Sequence, residues 1–142
     1  MELELGAHWR SLVGDWVTRN DLHSRADGDA VSVEFDIPGA ERMLTVRFTN
    51  TSRLLVAFMT DDRFLRPDQL AVAAAAANAW NTEQLIPMLS VWDVRGPRPC
   101  LGGVCSLPLS CRMTRPDFAA LATDWTERGR QMFARCREVF GL

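Results

Sequence analysis

The alanine-rich stretch between residues 68 and 92 constrains the fold of this chain more than any other segment. Five consecutive alanines, Ala73–Ala77, follow Pro67 and Asp68 and lead to Trp80. Alanine is the best helix former, and its small side chain lets a helix lie close against a neighbouring surface. Proline in a first turn and an acidic residue near the positive end of the helix dipole both favour a helix start here. The stretch therefore predicts a buried crossover helix that is anchored at its far end by Trp80.

The polar corner at the end of this helix has two interpretations. Asn78 and Asn81 flank Trp80, and the strand-like run that follows ends at Trp92. The two asparagines can simply cap the helix or turn the chain, which would make the corner structural. Alternatively, Asn78, Trp80, Asn81 and Trp92 form a binding site, in a pocket between the sheet and the helices.

Composition limits the chemistry that this chain can perform. Its 142 residues are enough for one domain with a real core, so we predict a single domain over 1–142. A net charge of −2 argues against broad nucleic-acid binding, which needs a basic surface. The sequence contains neither lysine nor tyrosine. Phosphate loops of the Walker type, lysine Schiff bases and tyrosine acid–base catalysis are therefore excluded.

The N-terminus and the cysteines indicate where the protein works. The chain starts with the acidic segment Met1–Glu4 and contains no apolar run of 18 residues, so we expect no membrane span and a cytoplasmic location. The cysteines should be reduced there, and no two of them form a C-x-x-C pair. We therefore expect neither a metal nor a cofactor. The roles of the cysteines, and the order of the loop over 96–103, stay open: Cys100, Cys105, Cys111 and Cys136.

Hydrophobic periodicity predicts the order helix, three strands, helix, two strands, helix. Apolar residues recur at helical spacing from Leu5 to Val17, and Asp27-Gly28-Asp29 is typical of a turn within the segment 25–29 that ends this helix. Strands are predicted over 31–37, 44–49, 53–59, 85–92 and about 104–111, with Pro38-Gly39 ending the first. The third is apolar on both sides and should be central, whereas Pro87 and Pro108 indicate edge positions. Short connections favour an antiparallel arrangement, so the class is α+β, with three helices on a five-stranded antiparallel sheet.

The last helix has the clearest boundaries. Thr114 is followed three residues later by Asp117, which is close to a capping box, and Gly141 is placed to end the helix. Gly129 lies on its apolar stripe, where it would allow another backbone to approach. Arginines crowd the second half. They either compensate the helix dipole or bind an anion or a partner: Arg128, Arg130, Arg135 and Arg137.

Two segments resemble a known family. One is Ala74–Asn81, an alanine-rich helix that ends in Asn-x-Trp-Asn. The other is Leu107-Pro108-Leu109 followed by Met113-Thr114 and Phe118. Both are similar to the YbjN-like family of proposed bacterial sensory transduction regulators, which shares the fold of type III secretion chaperones. The chain departs from the family pattern around 100–105. The resemblance implies a non-enzymatic, dimeric protein that binds other proteins or regulates, with no catalytic residues to carry over.

Three functional hypotheses follow. A protein-binding module suits the five tryptophans, seven phenylalanines and six methionines, because tryptophan and methionine are favoured at interfaces. A small-ligand sensor would use the pocket near Trp80. An enzyme would need Cys105 or Cys111 beside a histidine, a contact that the sequence does not indicate, and Asp61-Asp62 is more typical of a turn than of an acid–base pair. We favour the first hypothesis, with a homodimer and an unidentified protein partner.

Overall fold

The structure is a computed structural model that describes residues 1–37 and 39–142. Pro38, which the sequence predicts to end the first strand, lies outside the described residues. A short 3-10 turn, Pro67–Gln69, precedes the second helix. The strands are β1 (Leu3–Glu4), β2 (His23–Asp27), β3 (Ala30–Asp36), β4 (Met43–Asn50), β5 (Leu54–Thr60), β6 (Met88–Trp92), β7 (Cys100–Pro108) and β8 (Arg112–Met113). The helices are α1 (Leu5–Arg19), α2 (Leu70–Glu83) and α3 (Arg115–Phe140).

The main sheet has six antiparallel strands in the order β2-β3-β4-β5-β7-β6, and β1 pairs with β8 in a separate two-stranded ladder. The α+β class and the antiparallel arrangement are confirmed, but the prediction of five strands is wrong. The additional strand is β2, in a segment that the sequence assigns partly to the end of the first helix. All five of its residues are exposed, so it lacks the alternation that marks a half-buried strand. It is held instead by its hairpin with β3, which turns at Gly28 with φ of 60°.

Strand positions match the sequence predictions in two cases out of three. β5 lies between β4 and β7 and is central, and β6 is the edge strand that Pro87 indicates, although it begins at Met88 rather than Leu85. The edge position that Pro108 indicates is wrong, because β7 lies between β5 and β6. β6 pairs only with the first five residues of β7, Cys100–Val104. Pro108 therefore lies beyond the end of β6, where its missing amide disturbs no hydrogen bond on that side.

All three helices pack on one face of the main sheet, here called the inner face. α1 buries the predicted apolar stripe that includes Trp9 and Trp16. α2 buries Ala73, Ala76 and Ala77 of the alanine run and leaves Ala74 and Ala75 exposed. The inner face is a continuous apolar row across the strands, from Val33 through Val46 and Met59 to Leu89. This row and the three helices enclose the hydrophobic core.

The boundaries of α3 follow the sequence signals. The Thr114 hydroxyl accepts a hydrogen bond from the Asp117 amide at 3.1 Å, and Gly141 ends the helix with φ of 69°. Gly129 lies where α3 comes closest to the sheet, since a Cβ there would lie 2.5 Å from the Met59 sulfur. The small residue at this position sets the distance between the helix and the sheet.

Candidate functional site

Asn81 holds the end of α2 against the edge of the sheet. Its side-chain amide donates to the Leu89 carbonyl at 2.9 Å and accepts from the Leu89 amide at 2.9 Å. One asparagine side chain thus supplies the donor and the acceptor that a neighbouring strand would supply. The backbone of β6 at Leu89 is therefore already paired on its outer edge.

Trp80 is an anchor in the same corner. It is buried, and its indole Nε1–H donates to the Pro87 carbonyl at 2.8 Å, so its polar atom is paired inside the protein. The guanidinium of Arg135 lies 5.8 Å from the ring centroid and forms an ion pair with Glu83 at 2.7 Å. Asn78, three residues before Asn81, is exposed on the same helix. The corner thus has the contacts of a structural anchor.

Trp92 lies on the opposite face of the sheet from this corner. It pairs with Cys100, and its Nε1–H donates to the Gly102 carbonyl at 3.1 Å. Its ring meets Phe58 edge to face, with centroids 5.0 Å apart and planes at 84°. A Cβ at Gly102 would lie within 2.7 Å of both rings, so only glycine leaves room for this aromatic pair. The structure therefore brings Trp80 and Asn81 together but separates Trp92 from them.

The face that carries Trp92 is not covered by any helix in the described part of the chain. Alternate residues of paired strands share a face, so the neighbours of the buried inner-face residues point outward. In the three strands β5, β7 and β6 these outward positions are the alternate residues that begin at Leu54, Cys100 and Met88. Among the residues that the structure describes, none of these outward side chains carries a charge. We call this surface the charge-free face.

The other half of the same outer surface is charged. The outward residues of β2, β3 and β4 include Arg25, Glu34 and Asp36, and Arg47 forms an ion pair with Asp27 at 3.2 Å. The contrast between the halves shows that an apolar composition is confined to the three strands at one end of the sheet. Sequence reasoning missed this face because the outward residues of the three strands can be assigned to one surface only when the register between the strands is known.

Several side chains of the charge-free face are substantially exposed. Met88 is 51% exposed and Trp92 39%, while Phe58 and Val104 are half-buried between them. Val104 lies directly opposite Met88 on one side and Phe58 on the other, so the three side chains form a continuous row. Leu85, in the connection before β6, is 73% exposed and has φ of 64°. A bulky residue with positive φ is uncommon and costs free energy.

A cleft of about 220 Å³ lies between the sheet and the helices on the inner side, at Trp16 rather than at Trp80. Leu22 and Phe35 line its apolar part, and Thr123 and Arg130 are among its polar lining residues. Arg130 forms an ion pair with Glu127 at 3.0 Å. The cleft is a separate candidate site for a small ligand.

The buried cysteines do not have the properties of nucleophiles. Burial raises the pKa of Cys105 to about 12 and that of Cys136 to about 11, so both thiols are protonated at neutral pH. His8 and His23 are exposed, and the described residues contain no group of three or more His, Cys, Asp or Glu side chains that could hold a metal ion.

A half-buried Arg42 pairs with the buried Asp61 near the end of the chain. Arg42 donates to Asp61 at 2.8 Å and to the Leu142 carbonyl at 2.9 Å. Desolvation by burial raises the pKa of Asp61, and the Arg42 guanidinium opposes that rise. The pair ties the connections that follow β3 and β5 to the chain after α3, which is a structural role.

These features define an α+β protein with helices on one face of an antiparallel sheet and, on the other face, an uncharged surface over β5, β7 and β6. No protein-family model and no curated protein sequence matches the chain. The structure is similar to the crystal structure of YbjN from E. coli, which is described as a proposed transcription regulator. The TM-score is 0.72 over 90% of each chain, at 14% sequence identity. The YbjN-like resemblance is therefore confirmed at the level of the fold.

Within residues 1–37 and 39–142, no helix combines the length and the hydropathy needed to cross a membrane.

Proposed function

We propose that this chain is a non-enzymatic regulatory module, one domain over 1–142, that acts by binding protein through the charge-free face. The observation that carries the proposal is the absence of charge from every outward position that the structure describes in β5, β7 and β6. Charged residues are depleted at the centre of protein interfaces, whereas tryptophan, phenylalanine and methionine are enriched there. Trp92, Phe58 and Met88 supply these residue types at neighbouring positions.

The fold likeness supports a regulatory role. YbjN from E. coli is described as a proposed transcription regulator. We therefore propose a role in bacterial signalling or stress regulation, in the cytoplasm, with a fold of the type III secretion chaperone kind. Protein is a better partner than nucleic acid or a membrane surface, because the charge-free face offers no cation to phosphate groups.

A small-ligand sensor is the second candidate. The cleft at Trp16 supports it, since an aromatic wall beside the Arg130–Glu127 ion pair suits a small ligand with an apolar and a polar end. This places the ligand site away from Trp80. A shift of tryptophan fluorescence with a metabolite, lost in Arg130→Gln, would favour the sensor, and a flat response across the metabolite panel would count against it.

Site-specific photocrosslinking tests the protein-binding proposal. Benzoylphenylalanine placed at position 88 lies in the charge-free face, and the same residue at position 72 lies on α2, on the helical side. Met88 is 51% exposed and Val72 41%, so the two positions are matched in accessibility. Each full-length variant is irradiated in an extract of the cells from which the protein comes.

The proposal predicts protein adducts from position 88 and few from position 72. The mass of each adduct distinguishes a second copy of the chain from a different protein. Equal labelling from both positions, or no adduct from position 88, would refute the charge-free face as a protein-binding surface.

A further inference from the structure

We infer that the cleft at Trp16 binds a free α-amino acid with an apolar side chain, whose ammonium lies at Glu127 and whose carboxylate lies at Arg130. This inference rests on the second candidate function, the small-ligand sensor, and names the class of its ligand. It is independent of the charge-free face.

The lining of the cleft combines an apolar and a charged part. Trp16, Leu22 and Phe35 form the apolar part, and Glu127 and Arg130 supply the charges. Ligand sites of this kind hold an apolar body and fix its orientation with a few polar groups. The volume of about 220 Å³ is smaller than the ~300–1,000 Å³ of sites that hold drug-sized molecules. The ligand is therefore a small metabolite.

The apolar wall is held in place without a ligand. The Trp16 indole N–H donates to the Thr123 hydroxyl at 3.1 Å, and the Trp16 ring centroid lies 6.0 Å from that of Phe35 and 5.8 Å from that of Phe48. Because these contacts fix the Trp16 ring, little conformational entropy is lost when an apolar side chain packs against the wall.

The charged part of the cleft carries both signs. Glu127 and Arg130 lie one turn apart on α3 and form an ion pair at 3.0 Å. The pair is neutral as a whole, so it has little net attraction for a simple anion or a simple cation. A zwitterion is complementary to it, because the carboxylate of the ligand pairs with the guanidinium while the ammonium pairs with the glutamate.

Arg130 has donors that the ion pair does not use. Its Nη1 donates to Glu127, whereas its Nε is buried and has no hydrogen-bond partner among the residues that the structure describes. A buried donor without a partner costs free energy. A carboxylate can accept two parallel hydrogen bonds from one edge of a guanidinium. A ligand carboxylate at the edge formed by Nε and Nη2 would supply the missing acceptor.

Two acceptors are available for the ammonium. The Glu127 side chain is 54% exposed, so its second oxygen can turn towards a ligand while the ion pair persists. Asn20 also lines the cleft, and its amide nitrogen donates to the Trp16 carbonyl at 2.9 Å. This hydrogen bond leaves the side-chain oxygen of Asn20 as an acceptor. An ammonium group has three donors and can therefore bind both side chains.

Isothermal titration calorimetry of the full-length protein with L-leucine, L-methionine and L-phenylalanine tests this inference. At least one of the three should bind, and glycine, which has no apolar body, should not. Analogues of the tightest binder that lack one charge, such as 3-phenylpropionate and phenethylamine for phenylalanine, should bind more weakly by about tenfold or more, because each loses hydrogen bonds to a charged group.

Variants locate the binding in the cleft. Arg130→Gln and Glu127→Gln should each weaken binding by about tenfold or more. Arg128→Gln is the matched control, because Arg128 forms a similar pair with Asp124 at 2.9 Å on the same helix but does not line the cleft. Circular dichroism checks that each variant is folded, and the analogue series needs only the wild-type protein.

Three results would overturn the inference. They are the absence of binding by all three amino acids at millimolar concentration, 3-phenylpropionate that binds as tightly as L-phenylalanine, and binding that is unchanged in both folded variants of the ion pair. A fluorescence response to another metabolite, lost in Arg130→Gln, would then leave the sensor function intact and overturn only the ligand class. A flat response to every metabolite overturns both.

Discussion

Asn81→Ala should measurably destabilise the protein, because the asparagine amide pairs with the backbone of the edge strand. Two hydrogen bonds join it to Leu89, each 2.9 Å long. Each contributes about 0.5–1.5 kcal/mol net, so losing both should lower the free energy of unfolding by about 1–3 kcal/mol. Alanine also has a higher helix propensity than asparagine, which offsets up to about 0.7 kcal/mol of this loss.

Asn78→Ala is the matched control. Asn78 is exposed on the same helix, so its replacement gains the same helix propensity without removing the pairing with Leu89. Urea unfolding followed by tryptophan fluorescence gives both free energies, and the difference between the variants isolates the hydrogen bonds. Asn81→Asp should not restore stability, since its carboxylate would face the Leu89 carbonyl. If the free energies of unfolding of Asn81→Ala and Asn78→Ala differ by less than about 0.5 kcal/mol, the hydrogen bonds between Asn81 and Leu89 do not stabilise the protein and the reasoning is wrong.

Three further predictions concern packing, thiol reactivity and pH. Gly129→Ala would place a Cβ 2.5 Å from the Met59 sulfur, which costs about 1–3 kcal/mol, and the gain in helix propensity offsets about 1 kcal/mol of that cost. Thermal unfolding should therefore show a net loss of up to about 2 kcal/mol. Gly14→Ala has open space around it and should stabilise the protein by up to about 1 kcal/mol. Cys105 and Cys136, with pKa values of about 12 and 11, should resist iodoacetamide in the native protein at neutral pH, and mass spectrometry that finds either labelled would contradict this. The pKa of Asp61 is raised above its usual 3.8, so its protonated form is favoured in the folded protein. Its contribution to the free energy of unfolding should therefore fall as the pH rises from 3.8 through the raised pKa. Asp61→Asn should remove this pH dependence from the free energy of unfolding.

Elements with a strong hydrophobic or capping signal were predictable from the sequence. The stripe of α1, the alanine helix α2 and the start of α3 at Thr114 all follow from local rules. β2 was not, because none of its five residues is buried and only pairing with β3 holds it in place. β7 starts at Cys100 rather than near 104, since Gly102 and Gly103 contribute no side chain to the alternation.

The candidate site was less accessible to sequence reasoning than the fold. Trp80 and Asn81 lie in α2 and Trp92 ends the strand that follows it, yet Trp92 lies on the opposite face of the sheet from that pair. A strand sequence shows which residues alternate but not which set faces the helices, and the answer depends on the register with β7. For the same reason, the charge-free face exists only when three strands from separate parts of the chain are aligned.

Oxidation of Met88 is the most direct test of the claim that the charge-free face is a protein contact. Met88 is 51% exposed in the protomer, and Met1, at 96%, serves as an internal reference. The protein is treated with hydrogen peroxide in buffer and in an extract of the cells from which it comes, and the oxidation rates of both methionines are measured by mass spectrometry. The account predicts that Met88 is protected relative to Met1 in the extract, and that Val104→Glu abolishes this protection. Oxidation of Met88 at the same rate relative to Met1 in buffer and in the extract would contradict it.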